Sequence, residues 1–431
     1  MKQIKWGCIQ PLTGGMYIGA RKAIGNEASW IISYPGTNET KYDKKGTLVS
    51  AGNEYNLTQW LKKHNAMVPY YTFSHKMYEN KELTDVKISL TDYPENYSIE
   101  SDTGPDFSDI DIVVAVPVCS GLSGATIAGQ ETKDTRNCNM MFIANYALAM
   151  VKPKIYIFEN APALFSGAAA KPVRDKLNYI AEKYNYSIVY YKTDTKYHDN
   201  CQRRPRTFVM FVRNDENHNT APVLQYEHKL VNVVDYLSRI PSDATQQVTA
   251  TMHPDNVALF EYIKEKYGPN YRDNAKSWTI ANIIDDNLWD DFANWLKTYN
   301  GVSQQVKDKL NKLFNHIQEK ISEGKNFYCL APGWSMPTDE TVSACMFKSI
   351  PTLMHYSEDR LYTIREWLHI MGHPHDFELY GAIDSNYEKL GQNVPVRTAQ
   401  WIVSEAVRVI NGDAEYTDSN IAFFNNTKYT K

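Results

Sequence analysis

"DIVVAVPVCSGLS", residues 111–123, decides how this chain is read. An acidic residue is followed by an unbroken apolar run, and the run ends in a Pro/Gly/Ser turn that carries Cys119. A short continuous apolar run bounded by turn residues predicts a strand buried on both faces, as in a parallel sheet. Outward from it, "SWIISY" (29–34), "KIYIFE" (154–159) and "SIVYYK" (187–192) have the same texture, and "RTFVMFVRN" (206–214) closes the series. "MYIGARKAIG" (16–25), "CNMMFIANYALAMV" (138–151) and "AKPVRDKLNYIAEKY" (170–184) read as helices between them. That alternation predicts a doubly wound α/β sheet of Rossmann type.

Beyond residue 214 the texture becomes polar and irregular to about residue 350. One amphipathic helix is predicted there, "VKDKLNKLFNHIQEKI", with Leu310, Leu313, Phe314, Ile317 and Ile321 on one face. The expected organisation is a first domain over 1–214, a smaller inserted domain over 215–350, and a return over 351–431. In the return, the helix "VRTAQWIVSEAVRVIN" (396–411) is expected to pack back on the first domain.

The 431 residues are 43% hydrophobic and 22% charged, which predicts a soluble globular protein of two or three domains. No apolar stretch approaches the ~20 residues of a membrane span, and the N-terminus lacks a signal-peptide core, so a cytoplasmic, non-membrane protein is expected. Six scattered cysteines without a C-x-x-C pair argue against a zinc site or disulfide framework and for a reducing compartment. A net charge of −4 excludes a generic polyanion binder, so any nucleic-acid contact requires a focused basic cleft.

Ligands of open α/β sheets bind beyond the carboxyl ends of the strands. Cys119 lies three residues past one such end, and Glu159 ends the next parallel strand. Gln202, Arg204 and Arg206 alternate at period two, which predicts one strand face. Singly, each has an ordinary explanation: a buried thiol, a strand-end carboxylate, a solvated edge. Together, a thiolate, an acid and arginines suit conjugate addition to a pyrimidine. The thiolate attacks C6, the protonated carboxyl hydrogen-bonds N3, C5 takes up an electrophilic carbon, a base removes the C5 proton, and the thiol leaves.

At these residues the chain resembles the DNA cytosine-C5 methyltransferases. "PVCSGLS" resembles the family's Pro-Cys loop, "ENAPAL" its Glu-Asn-Val motif and "QRRPR" its Q-x-R-x-R motif. "TGGMYIGARKAIG" (13–25) resembles the glycine-rich cofactor loop and first helix. "RLYTIREWLHIMGHPHDF" (360–377) and "YEKLGQNVPVRTAQWI" (387–402) resemble the segments that follow the recognition domain. The resemblance implies a methyltransferase domain with an inserted target-recognition domain. It makes Cys119 the nucleophile and Glu159 the acid at the cytosine N3 edge, with Asn160 bracing the loop. Arg204 would support the base, Arg206 and Gln202 the geometry. S-adenosylmethionine would be held by Thr13, Gly14, Gly15, Ser33, Tyr34, Pro117, Asn393 and Val394, with Asp102 or Asp106 contacting adenine. The partner implied is double-stranded DNA, whose base must be flipped out of the stack by a monomeric enzyme. Its setting would be a bacterial or phage-infected cell, in restriction-modification or phage self-modification.

The cofactor half departs from the family pattern. "CIQPLTGG" stands where an Asp-Leu-Phe-x-Gly-x-Gly-Gly loop is usual, and "WIISYPG" lacks the glutamate that binds ribose hydroxyls. Three readings follow: methyl transfer from S-adenosylmethionine; hydroxymethylation to 5-hydroxymethylcytosine with methylenetetrahydrofolate; or a non-catalytic DNA-binding relative. His373 and His375 in "HPH" are read as part of a structural turn rather than a metal pair, and Cys8 as a small buried residue.

Overall fold

The computed structural model describes residues 3–33, 41–45, 48–73, 88–91, 99–101, 104–119, 121–122, 137–214, 231–249, 251–274, 277–279, 283, 288–324, 333–335, 354–412 and 428–430. Tyr34, Asp102 and, within the predicted inserted domain, residues 215–230 and most of 325–350 lie outside them.

The strands are β1 (Trp6–Ile9), β2 (Trp30–Ser33), β3 (Lys41–Tyr42), β4 (Leu48–Ser50), β5 (Tyr70–Phe73), β6 (Ile88–Thr91) and β7 (Ile99–Ser101). They continue as β8 (Ile112–Ala115), β9 (Ile155–Asn160), β10 (Tyr186–Asp194), β11 (Pro205–Arg213), β12 (Ser277–Thr279), β13 (Gly333–Ser335) and β14 (Lys428–Thr430). Ten form one sheet in the order β14-β10-β11-β9-β8-β1-β2-β5-β6-β7. The centre, β5-β2-β1-β8-β9, is parallel; β11 returns antiparallel beside β9, and β10 pairs antiparallel with β11, so that it runs in the direction of the central strands. The order runs outward in both directions from β1, which makes its carboxyl end the topological switch point.

Side-chain alternation sorts the strands onto two cores. Trp6, Cys8, Ile31, Ile112, Val114 and Ile157 face helices Gly15–Ile24, Tyr55–Lys63 and Val396–Asn411. Ile9, Ile32, Val113, Ala115, Tyr156 and Phe158 face helices Asn137–Tyr146 and Lys171–Lys183. The result is the expected doubly wound three-layer sandwich, with 396–411 packed back on the first helix as read from the sequence.

Three expectations are corrected. Helix 138–151 does not run regularly to its end: its last turn, Ala147–Val151, widens to π geometry and closes on Lys152 in the left-handed region. The polar stretch after 214 holds more helix than the one amphipathic segment, including Pro254–Tyr267 and Trp289–Thr298. Pro254 occupies the first turn, where its missing N–H costs nothing, and His253 accepts from the Asp255 amide. Within Gln304–Ser322, Leu310 and Ile317 are buried, Leu313 and Phe314 are partly buried, and Ile321 is exposed because it lies in the last turn, past the packed face.

The segment after residue 230 is tied to the return segment. Arg365 Nε donates to Thr245 O (2.9 Å), Ile364 N to Val248 O (2.9 Å), and Gln246 Nε2 to Leu379 O (2.6 Å).

Candidate active site

β8 carries the chain toward Cys119. Its exit is pinned on one side by Val116 N donating to Ile9 O (3.2 Å) and on the other by Val118 N donating to Asn139 Oδ1 (2.9 Å). Leu122 N donates to Cys119 O (3.0 Å), which closes a turn around the thiol. Cys119 is half-buried, against the aromatic and aliphatic layer beneath the sheet. Burial pushes its thiol pKa up and the charge of Glu159 adds to that, whereas Arg206 and Arg204 pull it down.

Glu159, in the adjacent parallel strand, is buried, and Arg206 Nε lies 2.8 Å from its Oε1. Desolvation raises the Glu159 carboxyl pKa, opposed by Arg206 and Arg204. The next residue, Asn160, is fully buried; its Oδ1 accepts from Ala161 N (2.9 Å), and its Nδ2 has no partner among the described residues. Thiol, carboxyl and guanidinium thus meet at the ends of β8, β9 and β11.

The period-two reading of 202–206 needs correction. β11 begins only at Pro205, so Gln202 and Arg204 precede the strand. Asp194 Oδ1 accepts from Arg204 N (2.8 Å) and Asn200 Oδ1 from Gln202 N (2.7 Å), and these side chains bend the connection. The two arginines therefore diverge. Arg206 goes to Glu159, whereas Arg204 Nη2 donates to Gly391 O (2.7 Å) and Asn393 O (2.9 Å). Gln202 is fully buried, and both side-chain amide atoms lack a partner among the described residues.

The glycine-rich loop leaves β1 through Gln10 and Leu12 at φ 53° and 52° and Gly14 at φ 94°. Residues in the left-handed region make the turn tight. Thr13 Oγ1 donates to Lys389 O (3.2 Å) and Gly15 N to Asn393 Oδ1 (3.0 Å). A Cβ on Gly15 would sit 1.7 Å from Val394 O, so the loop and residues 393–394 are in direct backbone contact. The Asn393 amide also pairs with the buried ring of His373, whose pKa burial lowers to about 3. His373 is thereby a neutral bracket for this crossing. Ser33 ends β2, buried, beside this loop's strand; Pro117 follows β8; Cys8 is fully buried.

Two groups escaped the sequence reading. Gln10, the first residue after β1, is buried, and both side-chain amide atoms lack a partner among the described residues. Its only signal was its place in the loop that departs from the expected pattern. Asn139, which holds Val118, had none, because its partner lies 21 residues away.

The residues fit a donor molecule in part. The contact of Thr13, Gly15, Asn393 and Val394 builds a wall at the carboxyl end of β1, and Gln10 leaves a polar group there to be matched. A carboxylate for ribose hydroxyls is not among the described residues that end β2.

A family model described as C-5 cytosine-specific DNA methylase matches residues 50–408. The chain is 23% identical over 287 residues to the type II methyltransferase M.PspPI of Psychrobacter sp. (strain TA137), covering 63% of this chain and 58% of that protein. It is 22% identical over 305 residues to the putative type II methyltransferase M.MJ0563P of Methanocaldococcus jannaschii, covering 69% and 77% respectively. The fold is similar to Entamoeba histolytica methyltransferase EhMeth, with TM-score 0.53 and 12% identity over 96% of this chain and 100% of that one. It is also similar to a putative DNA modification methyltransferase encoded within an E. coli prophage, with TM-score 0.50 and 14% identity over 95% and 99%. With most of its length matched in this way, the chain belongs to the C-5 cytosine-specific DNA methylase family.

Proposed function

We propose that the protein transfers a methyl group from S-adenosylmethionine to C5 of cytosine in double-stranded DNA, through a covalent bond between Cys119 Sγ and C6. The observation that carries this reading is the meeting of Cys119, Glu159 and Arg206 at three neighbouring strand ends. A flipped cytosine placed there has C6 at the thiol and N3 at the carboxyl. Glu159, whose burial favours the protonated form, holds a proton at N3, so that electron density pushed in by sulfur passes through the ring to C5. Arg206 fixes the carboxyl's orientation, and the Nδ2 of Asn160 and the amide of Gln202, which lack partners among the described residues, are polar atoms a bound base can satisfy. Arg204 acts at one remove by holding the 391–393 carbonyls. Thr13, Gly14, Gly15, Ser33, Pro117, Asn393 and Val394 would hold S-adenosylmethionine, which would supply an electrophilic methyl; Tyr34 and Asp102, assigned to the same role from the sequence, lie outside the described residues. A base then takes the C5 proton, and the thiolate leaves as the C5–C6 double bond re-forms.

A second reading keeps Cys119 and changes the donor to methylenetetrahydrofolate, giving 5-hydroxymethylcytosine. Ser33, where β2 ends without a carboxylate, favours it. In either case residues 1–214 and 351–431 form the catalytic unit and 215–350 the target-recognition part of a monomer. It would work in the cytoplasm of a bacterium or phage-infected cell, for restriction-modification or phage self-modification.

Duplex DNA containing 5-fluorocytosine tests the covalent step, since fluorine at C5 cannot be removed as a proton. The wild type is expected to form a complex that survives denaturant, and Cys119→Ser to form none. Full methylation activity in Cys119→Ser would overturn the mechanism. Labelled S-adenosylmethionine tests the donor: a modified cytosine that carries no label and requires a folate would replace the first reading with the second.

A further inference from the structure

We infer that Asn139 is a positioning residue for the nucleophile: by holding the Val118 amide it fixes where the Cys119 thiol stands relative to the Glu159 carboxyl. The inference rests on the proposed attack of Cys119 on cytosine and adds a residue to it.

The two groups are held in different ways. Glu159 lies inside β9, paired with Phe208 of β11, and Arg206 Nε is 2.8 Å from its carboxyl. Cys119 is not in a strand. The ladder between β8 and β9 ends where Ala115 faces Phe158, and the chain's last bond to β1 is Val116 N to Ile9 O. Pro117 has no N–H to donate. The next amide, Val118 N, donates to Asn139 Oδ1 (2.9 Å). The bond from Leu122 N to Cys119 O closes the turn on itself and ties it to no other element. Among the described residues, Asn139 is therefore the one group from another element that hydrogen-bonds residues 117–119.

Its mount suits that task. Asn139 is in the first turn of helix Asn137–Tyr146, whose Met140, Ile143 and Ala144 are fully buried against the sheet. Asn139 is itself fully buried, and it lies one turn from Ile143 on the same face, where a leucine would extend the apolar contact. A buried carboxamide is costly unless it is bonded, so the bond to Val118 accounts for the residue. The same helix start also meets the far side of the turn, since a Cβ on Gly121 would lie 2.3 Å from Asn137 Oδ1. Close-packed interiors transmit small displacements, so the helix sets the position of the turn. Reacting atoms must approach to about 3–3.5 Å, and a misplacement of about 1 Å can cost about 10²-fold.

The rate of covalent trapping on long mixed-sequence duplex DNA containing 5-fluorocytosine is to be measured for wild type, Asn139→Leu, Asn139→Ser and Asn139→Asp. S-adenosylmethionine is the donor, or methylenetetrahydrofolate if the wild type responds only to that. Asn139→Leu is expected to slow trapping roughly 10–100-fold, with duplex DNA affinity within about twofold because the bond does not touch DNA. Alkylation of Cys119 by iodoacetamide without DNA, followed by mass spectrometry, requires no alignment with a base and is expected to stay within about threefold. Asn139→Ser is too short to reach Val118 and is expected to be slowed in the same way, so it serves if the leucine variant does not fold. Asn139→Asp keeps an acceptor at the same reach and is expected to stay within about fivefold of wild type. A folded Leu or Ser variant that traps DNA at the wild-type rate overturns the inference and leaves the attack by Cys119 standing. So does an equal loss in Asn139→Asp, which would assign the effect to packing, or alkylation slowed as much as trapping, which would assign it to the thiol's own reactivity. A wild type that traps no DNA with either donor overturns both.

Discussion

At the scale of single residues, the reactivity of Cys119 is an electrostatic balance. Burial and Glu159 hold the thiol protonated, and Arg206 and Arg204 work against them. The signs give a direct prediction. Glu159→Gln removes a negative charge from the thiol's surroundings, so the pH midpoint for alkylation of Cys119 by iodoacetamide is expected to move down. Turnover in the same variant is expected to fall by roughly 10²–10⁴-fold, the usual worth of a positioned acid. A midpoint that moves up, or turnover that stays, would show that Glu159 neither opposes the thiolate nor serves the base. The placement of Cys119, Glu159, Asn160 and Arg206 near one rim was legible in the sequence, because the first three follow or end parallel strands and Arg206 lies at the start of the antiparallel one beside them. Arg204 was read from the resemblance as support for the base; its Nη2 also donates to the carbonyls of Gly391 and Asn393, almost two hundred residues away. No local pattern encodes such a contact.

At the scale of elements, the packing of helix Gly15–Ile24 against Val396–Asn411 depends on the absence of a side chain. A Cβ on Gly19 would lie 2.5 Å from Ala399 Cβ and 2.6 Å from Val396 O. Gly→Ala inside a helix ordinarily stabilises by about 0.5–1 kcal/mol. Here the clash with backbone dominates, since forced overpacking costs about 1–3 kcal/mol. Gly19→Ala is therefore expected to lower the urea midpoint, and a rise would show that the two helices can part at no cost. The helices themselves were visible as 3.6-residue periodicity. The π turn at 147–151 was not, because it changes the hydrogen-bond ring and not the composition. The helix at 254–267 was missed because its apolar residues do not gather on one stripe, whereas 289–298 buries a clear face of Trp289, Phe292 and Leu296 that the reading passed over.

At the scale of the whole molecule, burial of neutral histidines ties stability to pH. His198 and His373 are both lowered to about 3 by desolvation. In the unfolded chain they titrate near ~6.5. As pH falls through that value the unfolded state takes up protons that the folded state refuses. The stabilisation is complete above about 6.5 and is lost progressively toward about 3, at roughly 1 kcal/mol per pH unit for each ring. Urea midpoints are expected to drop between pH 7.5 and pH 5 (the chosen test points, by the same linkage), and more gently in His198→Asn. Equal slopes for wild type and variant would remove His198 from this account.

What the sequence by itself determined is whatever is written locally: the buried strands, the alternation with helices, and the order of Cys119, Glu159 and Arg206 along one sheet rim. Periodicity and turn residues are properties of neighbours in the chain, so they can be read without coordinates. The tertiary structure alone decided that Arg204 and Arg206 part company, that Asn393 and His373 brace the glycine loop, and that the amide of Gln10 is buried without a partner among the described residues. Each of these depends on which distant backbone or side chain arrives at a given point, and on whether water can still reach it. Those are facts of packing and solvent exclusion, which a linear pattern does not carry.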